Sequence, residues 1–401
     1  MRVVLSTYGS RGDVQPLAGL AVQLRERGAE VRVCAPPDEE FAQRLAAVGV
    51  EVVPVGASVR SLVRGALPAP EELPRRAAVM VERFHAAVAA VAEPGGAVLA
   101  TGVFPAVAGA QAAAEAVGAR FVYAALQPTM LPSPHHPPIE FPLAPYRPGL
   151  TGNRELWADN IRTMNALFRD AVNDHRASIG LPTVDNVRDH VFTERPWLAT
   201  DELLGPWPRP VDREVVQTGA WLLADERPLP ADLSAFLDAG EPPVYAGFGS
   251  MPLHGAPDAA RVLVEAARRQ GRRVVLARGW AELAPVDGAD DCFTVDEVNQ
   301  QALFPKVAAV VHHGGAGTTT AAALAGTPQV VVPQIVDQPY WAARVAALGI
   351  GAAHDGPVPT LDSLSAALRR ALTPEVGARA AAVAGRIRTD GAAVAARLLL
   401  G

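Results

Sequence analysis

The sequence predicts an α/β protein made of two consecutive parallel-sheet domains. Three observations predict it. Short apolar runs of strand length alternate with amphipathic helical stretches along most of the chain. The alternation occurs twice, with a proline-rich stretch at 203–230 between the two series. Each series opens alike: "VVLSTYGS" (3–10) and "VYAGFGS" (244–250) both run an apolar strand into Gly-Ser. Alternating βα units build parallel sheets with helices on both faces.

In the first half "RVVLS" (2–6) is a mostly apolar run, as in a strand buried on both faces. "GSRGD" turns the chain. In "PLAGLAVQLRERG" (16–28), Leu17, Leu20, Ala21 and Leu24 share one helical face, and Arg25, Glu26 and Arg27 close the helix before Gly28. "EVRVC" (30–34), "AVLAT" (97–101) and "RFVYAA" (120–125) continue as strands. Residues 125–150 are proline-rich and lack a period, so they read as a loop. "NRELWADNIRTMNALFRDAVNDHRASIG" (153–180) reads as one long helix.

The second half repeats the pattern. "PVYAGFGS" (243–250), "RRVVLARG" (272–279), "VAAVVHH" (307–313) and "TPQVVVPQ" (327–334) are strands, with helices between them. The C-terminal stretches "SLSAALRRAL" and "GARAAAVAGRIRTDGAAVAARLLL" are helical. The expected organisation is therefore a Rossmann-like domain over 1–205, a linker over 206–222, a second Rossmann-like domain over 223–380 and a terminal helical segment over 381–401.

Composition narrows the class. At 401 residues and 49% hydrophobic, the chain can bury a sizeable core. Its 36 basic and 42 acidic residues form no basic block, which argues against nucleic acid. Cys34 and Cys292 fall in different halves, so a disulfide framework is not expected and a reducing compartment fits. The N-terminus lacks the apolar stretch of a signal peptide, and no run reaches the roughly 18 apolar residues of a membrane helix. The expectation is a soluble, cytoplasmic and monomeric protein.

The chemistry gathers at three strand-to-helix turns. Ligands of open α/β sheets sit beyond the carboxyl ends of the strands. "HHGGAGTTT" (312–320) is at such an end. A helix starting near Ala316 or Gly317 offers unpaired N–H groups and a partial positive charge. Gly314, Gly315 and Gly317 let an anion approach the backbone, Thr318 and Thr319 can add hydroxyl donors, and His313 can donate to a phosphate oxygen. The parts suit a diphosphate. The plainer alternative is a tight connection with two ordinary histidines. No Gly-Lys-Ser/Thr follows, so this is not a P-loop. In "PQIVDQPYWAARV" (333–345), Asp337 and Gln338 can grip vicinal hydroxyls, although a capping Asp337 is the simpler local reading. In "YGSRGDVQP" (8–16), Asp13 is either a helix cap or a general base facing the diphosphate turn across a cleft.

"GSRGD", "VYAGFGS", "RGWAEL", "HHGGAGTT" and "PQIVDQPYWAARV" occur in this order in the antibiotic glycosyltransferases of actinomycetes. Over essentially its whole length, the chain resembles the enzymes that glycosylate glycopeptide aglycones of the vancomycin and teicoplanin group. The resemblance implies a GT-B fold, with two Rossmann-like domains facing a central cleft, the acceptor on the N-terminal domain and a nucleotide-diphospho-sugar on the C-terminal one. It implies inversion without a metal or other cofactor. It places the catalytic base on Asp13 and diphosphate contacts on Ser10, Arg11, Ser250, His313, Gly315, Gly317 and Thr318. It places the sugar contacts on Asp337 and Gln338, and backbone recognition of the base near Val298 in "DEVNQQALF". The terminal helices are expected to pack back on the N-terminal domain.

The residues themselves agree with a metal-free mechanism, since the chain contains no Asp-x-Asp. The compact "DQPY" spacing favours an ordinary hexose donor, UDP-glucose or UDP-N-acetylglucosamine. A TDP-deoxyaminosugar donor is the alternative. A nucleotide-sugar epimerase and a two-lobed solute-binding protein are rival readings of the same architecture. His135 and His136 in "PSPHHPP" lack further metal ligands at suitable spacing and read as a flexible acceptor-binding rim. Tyr340 and Trp341 suit either a sugar pocket or helix packing. Trp207, Trp221 and Trp280 read as structural, and Arg278 as a residue near the nucleotide without an assigned role.

Overall fold

The computed structural model describes residues 1–65, 69–140, 144–209, 213–251 and 258–401. Parts of the proline-rich loop (141–143) and of the expected linker (210–212) lie outside the described residues. The chain divides into two compact units. One comprises Met1–Glu202, Pro206–Leu223 and Arg388–Gly401, the other Leu203–Gly205 and Ala224–Ile387.

The first unit is built on seven parallel strands: β1 (Arg2–Tyr8), β2 (Glu30–Ala35), β3 (Glu51–Pro54), β4 (Ala97–Gly102), β5 (Arg120–Ala125), β6 (Trp197–Leu198) and β7 (Val216–Gln217). Their order is β3-β2-β1-β4-β5-β6-β7. β1 is an interior strand, with Val3 paired to Val31 on one side and to Ala97 on the other. Helices cover both faces, which is why Val3, Val4 and Leu5 are all buried and the strand does not alternate.

The second unit carries β8 (Val244–Ala246), β9 (Val274–Ala277), β10 (Cys292–Val295), β11 (Ala309–His312), β12 (Gln329–Val331) and β13 (Gly351–Ala353), all parallel, in the order β10-β9-β8-β11-β12-β13. In both sheets the direction of strand addition reverses once, between β1 and β4 and between β8 and β11. Beyond the carboxyl ends of strands at such a reversal, the flanking loops part and leave a crevice for a ligand. The turns carrying Asp13, Ser250 and His313 follow β1, β8 and β11.

The described residues of 206–222 belong to the first unit. β7 pairs with β6, and Trp221 is buried, with its indole Nε1 donating to Thr218 Oγ1 at 3.0 Å. In the other direction, Leu203 and Leu204 give their carbonyls to Arg344 at 2.8 and 3.0 Å within the second unit. After Ile387 the chain returns to the first unit. The Gly391–Leu400 helix places Ala392, Ala395, Ala396 and Leu399 in one apolar cluster with Leu17, Leu20 and Leu24 of the Arg11–Glu26 helix.

Candidate active site

The turn after β11 separates its two histidines. His312, the last residue of the strand, is wholly buried. Its Nδ1 accepts from the Gly314 N–H at 3.1 Å, so its proton lies on Nε2, which donates to Gln329 Oε1 at 2.9 Å. Gln329 Nε2 in turn donates to the Thr319 carbonyl at 3.3 Å, tying strand to helix. Burial pushes the His312 imidazole down to about 3, so it is neutral. Gly314 makes the turn possible: its φ is +90°, and a Cβ there would stand 2.6 Å from Val331 Cγ1.

His313 lies outside this network. Its ring occupies room left by two glycines: a Cβ at Gly249 would stand 3.4 Å from Cε1, and one at Gly315 would stand 2.5 Å from Nε2. Its Nδ1 is buried and, among the described residues, has no partner. Burial lowers its pKa to about 4. A neutral imidazole without an acceptor at Nδ1 can carry its one proton on Nε2, toward the helix start, where it can donate to an anion.

The Ala316–Leu324 helix begins at Gly315 with no side-chain cap. Its first-turn N–H groups therefore have no partner from a capping side chain, which is the condition for anion binding. Gly317 is exposed and Thr318 half-buried beside them. Thr319 is a correction to the expectation of two threonine donors. It is fully buried, and its hydroxyl donates back to the Gly315 carbonyl at 3.0 Å.

Ser250 ends the turn after β8, and Gly249 of that turn adjoins His313. The turn is tied to the one after β9 through Trp280 N–H, which donates to the Gly249 carbonyl at 2.8 Å. Val298 turns its side chain into the core, 7% exposed, so only its backbone is left for recognition. The neighbouring Asn299 holds that segment: its side chain accepts from Ala302 N–H and donates to the Asp225 and Arg227 carbonyls.

Asp337 precedes the Gln338–Leu348 helix at the capping position, but its carboxylate makes no cap hydrogen bond. It accepts instead from Trp341 Nε1 at 2.6 Å. Capping, the simpler local reading, is thereby corrected. Burial raises its carboxyl to about 6, and the indole bond opposes the rise. Gln338 is buried, and its Oε1 accepts from the Gln334 and Ile335 N–H groups at 2.7 and 3.1 Å. It thus shapes the loop in which Val336 holds φ +60°, a costly conformation for a β-branched residue.

At the carboxyl end of β1, Ser10 caps the Arg11–Glu26 helix, and Asp13 is its third residue, not its cap. The two form a capping box. Ser10 Oγ accepts from Gly12 N–H at 3.3 Å, and Asp13 Oδ2 accepts from Ser10 N–H at 2.8 Å. Gly9 must lack a Cβ because the Asp13 carboxylate passes over it. A carboxylate accepts several hydrogen bonds, so the box does not exhaust Asp13. Arg11 Nε donates to Gln15 Oε1 at 3.1 Å. Pro16 is the sixth helical residue and not part of the first turn.

The described parts of the proline-rich loop are anchored. Trp157 Nε1 donates to the His136 carbonyl at 2.9 Å, Asn153 Nδ2 to the Pro134 carbonyl at 3.0 Å, and buried Asp159 takes Arg147 and Arg162. His136 is buried, with its ring 6.1 Å from that of Trp207. Trp341 is a core residue, so its ring packs inside the unit and does not line a pocket. Arg278 pairs with Asp296 at 3.3 Å.

Sequence reasoning missed Gln329, Asn299 and the Asp337–Trp341 bond. A signal existed for Gln329. It is a polar residue opening an otherwise apolar strand. Among the described residues, no group of three or more His, Cys, Asp or Glu could hold a metal, and no helix is long and apolar enough to cross a membrane.

Comparison with known proteins fits this geometry. Residues 3–124 match the glycosyltransferase family 28 N-terminal domain, and residues 274–395 match the erythromycin biosynthesis protein CIII-like C-terminal domain. Glycosyltransferase GtfC of Amycolatopsis orientalis is 53% identical, over 100% of this chain and 97% of the relative. The vancomycin aglycone glucosyltransferase of the same organism is 52% identical with the same coverage, and its dTDP-epi-vancosaminyltransferase is 49% identical over 96% and 93%. Among solved structures, the glycotransferase of kitacinnamycin superposes with a TM-score of 0.73 at 22% identity, covering 99% of this chain and 97% of that one. CalG4, the calicheamicin glycosyltransferase, gives 0.68 at 19%, covering 100% and 98%. At these identities the structural likeness speaks for the fold alone, which is GT-B. The full-length relatives speak for the chemistry and set aside the epimerase and solute-binding readings: the chain is a glycosyltransferase and belongs to the family of the vancomycin-group enzymes.

Proposed function

We propose that the protein is an inverting, metal-independent hexosyltransferase that moves glucose or N-acetylglucosamine from a UDP-sugar to a hydroxyl of a glycopeptide aglycone. The observation that carries the donor side is the helix start at Gly315, without a side-chain cap and beside a neutral histidine whose Nδ1 has no partner. In this reading the N–H groups of Gly317 and Thr318 and the His313 Nε2–H take the diphosphate, with Ser250, Ser10 and Arg11 contributing. The backbone at Val298 reads the base, and Asp337 and Gln338 read the sugar. Similarity to the vancomycin aglycone glucosyltransferase supports the acceptor class.

Asp13 takes the proton of the acceptor O–H as that oxygen attacks the anomeric carbon. The bond from that carbon to the diphosphate oxygen breaks, and UDP leaves with the electron pair. One displacement on an α-linked donor gives a β-linked product. Negative charge grows on the departing oxygen, where fixed N–H donors and a cation stabilise it without solvent reorganisation. Arg11 supplies the cation, so a bound metal is not required for this step.

The similarity to dTDP-epi-vancosaminyltransferase favours a second reading, a TDP-deoxyaminosugar donor with the same acceptor class. Mass spectrometry of products from a panel of UDP- and TDP-sugars with a glycopeptide aglycone separates the two. A hexosyl adduct from UDP-glucose or UDP-N-acetylglucosamine is expected. A product from TDP-sugars only would transfer the assignment to the second reading, and no product without aglycone distinguishes transfer from hydrolysis.

A further inference from the structure

Trp341 bears no reactive group and is 1% exposed, packed with Leu204, Val331, Val345 and Ile350. A phenylalanine could serve that packing. The indole adds one polar atom, and that atom is committed to Asp337 Oδ2 at 2.6 Å. An indole N–H can only donate, and a donor this close favours the ionised carboxylate. The backbone that carries the carboxylate is held as well. The Trp341 N–H donates to the Asp337 carbonyl at 3.1 Å, and Gln338 Oε1 clasps the loop before it.

We propose that Trp341 is a positioning residue for sugar recognition: its indole fixes one carboxylate oxygen of Asp337, so that the carboxylate meets the sugar hydroxyls ionised and in one orientation. The inference rests on the reading of Asp337 as a sugar contact. Burial alone drives the Asp337 carboxyl up, and the indole bond is the stronger of the two hydrogen bonds that bring it down. The ionisable groups around it are few. Tyr340 and Arg344 belong to the same helix, and Arg344 is turned to the Leu203 and Leu204 carbonyls. Arg379 sits at the helix's far end on the Leu348 carbonyl. The elements packed most closely on the helix, Ala316–Leu324, β12 and β13, contain no ionisable side chain. Removing the indole donor thus acts on Asp337 directly.

The test is calorimetric titration of UDP-glucose and, separately, UDP into wild type, Trp341→Phe, Asp337→Asn and Asp337→Ala, from about pH 5.5 to about 8.5, spanning a raised carboxyl. In Trp341→Phe the acid-side fall of UDP-glucose affinity should begin about one pH unit higher, about a tenfold loss on that side, while UDP binds as to wild type. Asp337→Asn, which keeps the Trp341 packing, should bind UDP-glucose with no such acid-side fall relative to UDP. A Trp341→Phe profile that overlies wild type overturns the proposal, and so does equal loss of UDP and UDP-glucose, the mark of a packing role. An Asp337→Asn variant that keeps the wild-type fall also overturns it. If Asp337→Ala binds UDP-glucose like wild type, the sugar-contact reading fails and the proposal with it. If Asp337→Ala discriminates the two ligands and Trp341→Phe does not, only the proposal fails.

Discussion

The helix starts after β1 and after β11 are the same junction treated in opposite ways. At Ser10–Asp13 the helix closes itself with a reciprocal capping box. At Gly315–Thr318 no side chain caps it, and the nearby threonine hydroxyl is bonded back to the Gly315 carbonyl. A satisfied helix start is stable and presents a carboxylate held by its own cap. An open one is less stable by about 1 kcal/mol and is an anion site. The difference is one of side chains at equivalent positions: Ser and Asp in one unit, Gly and Thr in the other.

The largest expected effect breaks the first junction. Asp13→Asn and Asp13→Ala should each lower kcat by roughly 10²–10⁴ with donor affinity nearly unchanged. The pair sharpens the comparison, because Asn keeps an acceptor for the Ser10 N–H. Melting curves should show a loss in Ala that Asn largely spares. Near-normal turnover in either variant would remove Asp13 from the chemistry.

Next comes the open junction. His313→Ala should weaken UDP-glucose and UDP alike by about tenfold to a hundredfold, since the loss is at the diphosphate. Added magnesium should not restore it. Unchanged UDP affinity by calorimetry would mean that His313 only fills the space between the two glycines.

Asp337→Ala should cost roughly 1.5–3 kcal/mol toward UDP-glucose and little toward UDP. Its carboxyl is raised to about 6 from an ordinary 3.8, so the folded chain penalises its charged form relative to the unfolded chain. The stability it contributes is complete below about pH 4 and is lost as pH rises through about 6. Asp337→Asn should therefore melt higher than wild type at neutral pH, and this advantage should vanish in acid.

A smaller effect runs the other way with pH. The His313 imidazole is lowered to about 4 from an ordinary 6.5, so its stability is full above about pH 6.5 and is lost as pH falls through about 4. Melting of His313→Ala should decline less steeply than wild type over that range. The smallest expected effect is none: EDTA should leave turnover intact, and an abolished rate would end the metal-free mechanism.

The alternating α/β pattern was legible because strands buried on both faces are runs of Val, Ile, Leu and Ala, and the helices between them have their own period. The turns after β1, β8 and β11 were legible because glycines crowded between a strand and a helix leave the backbone bare where a ligand can reach it. The side-chain partners were not. Asp337 looked like a cap because Asp before a helix usually is one, and the Trp341 indole that takes it lies four residues on, inside a helix that also reads as ordinary packing. Gln329 stood out as a polar residue in an apolar strand, but its partner His312 lies on another strand, and that pairing leaves no local mark. The proline-rich loop looked mobile from its composition. Its anchors, Trp157 and Asp159, belong to a helix whose pattern says nothing of what it holds.

The return of Arg388–Gly401 bears on how the protein is made. The apolar cluster around Leu17, Leu20 and Leu24 includes Ala392, Ala395, Ala396 and Leu399, which the ribosome adds only after the whole second unit. Domains generally fold in the order of their synthesis. Here the unit that begins first must wait with an apolar helix face uncovered, and the unit that begins second can finish before it. A nascent chain stalled short of Arg388 should therefore hold a protease-resistant second unit beside a first unit that is still readily cut.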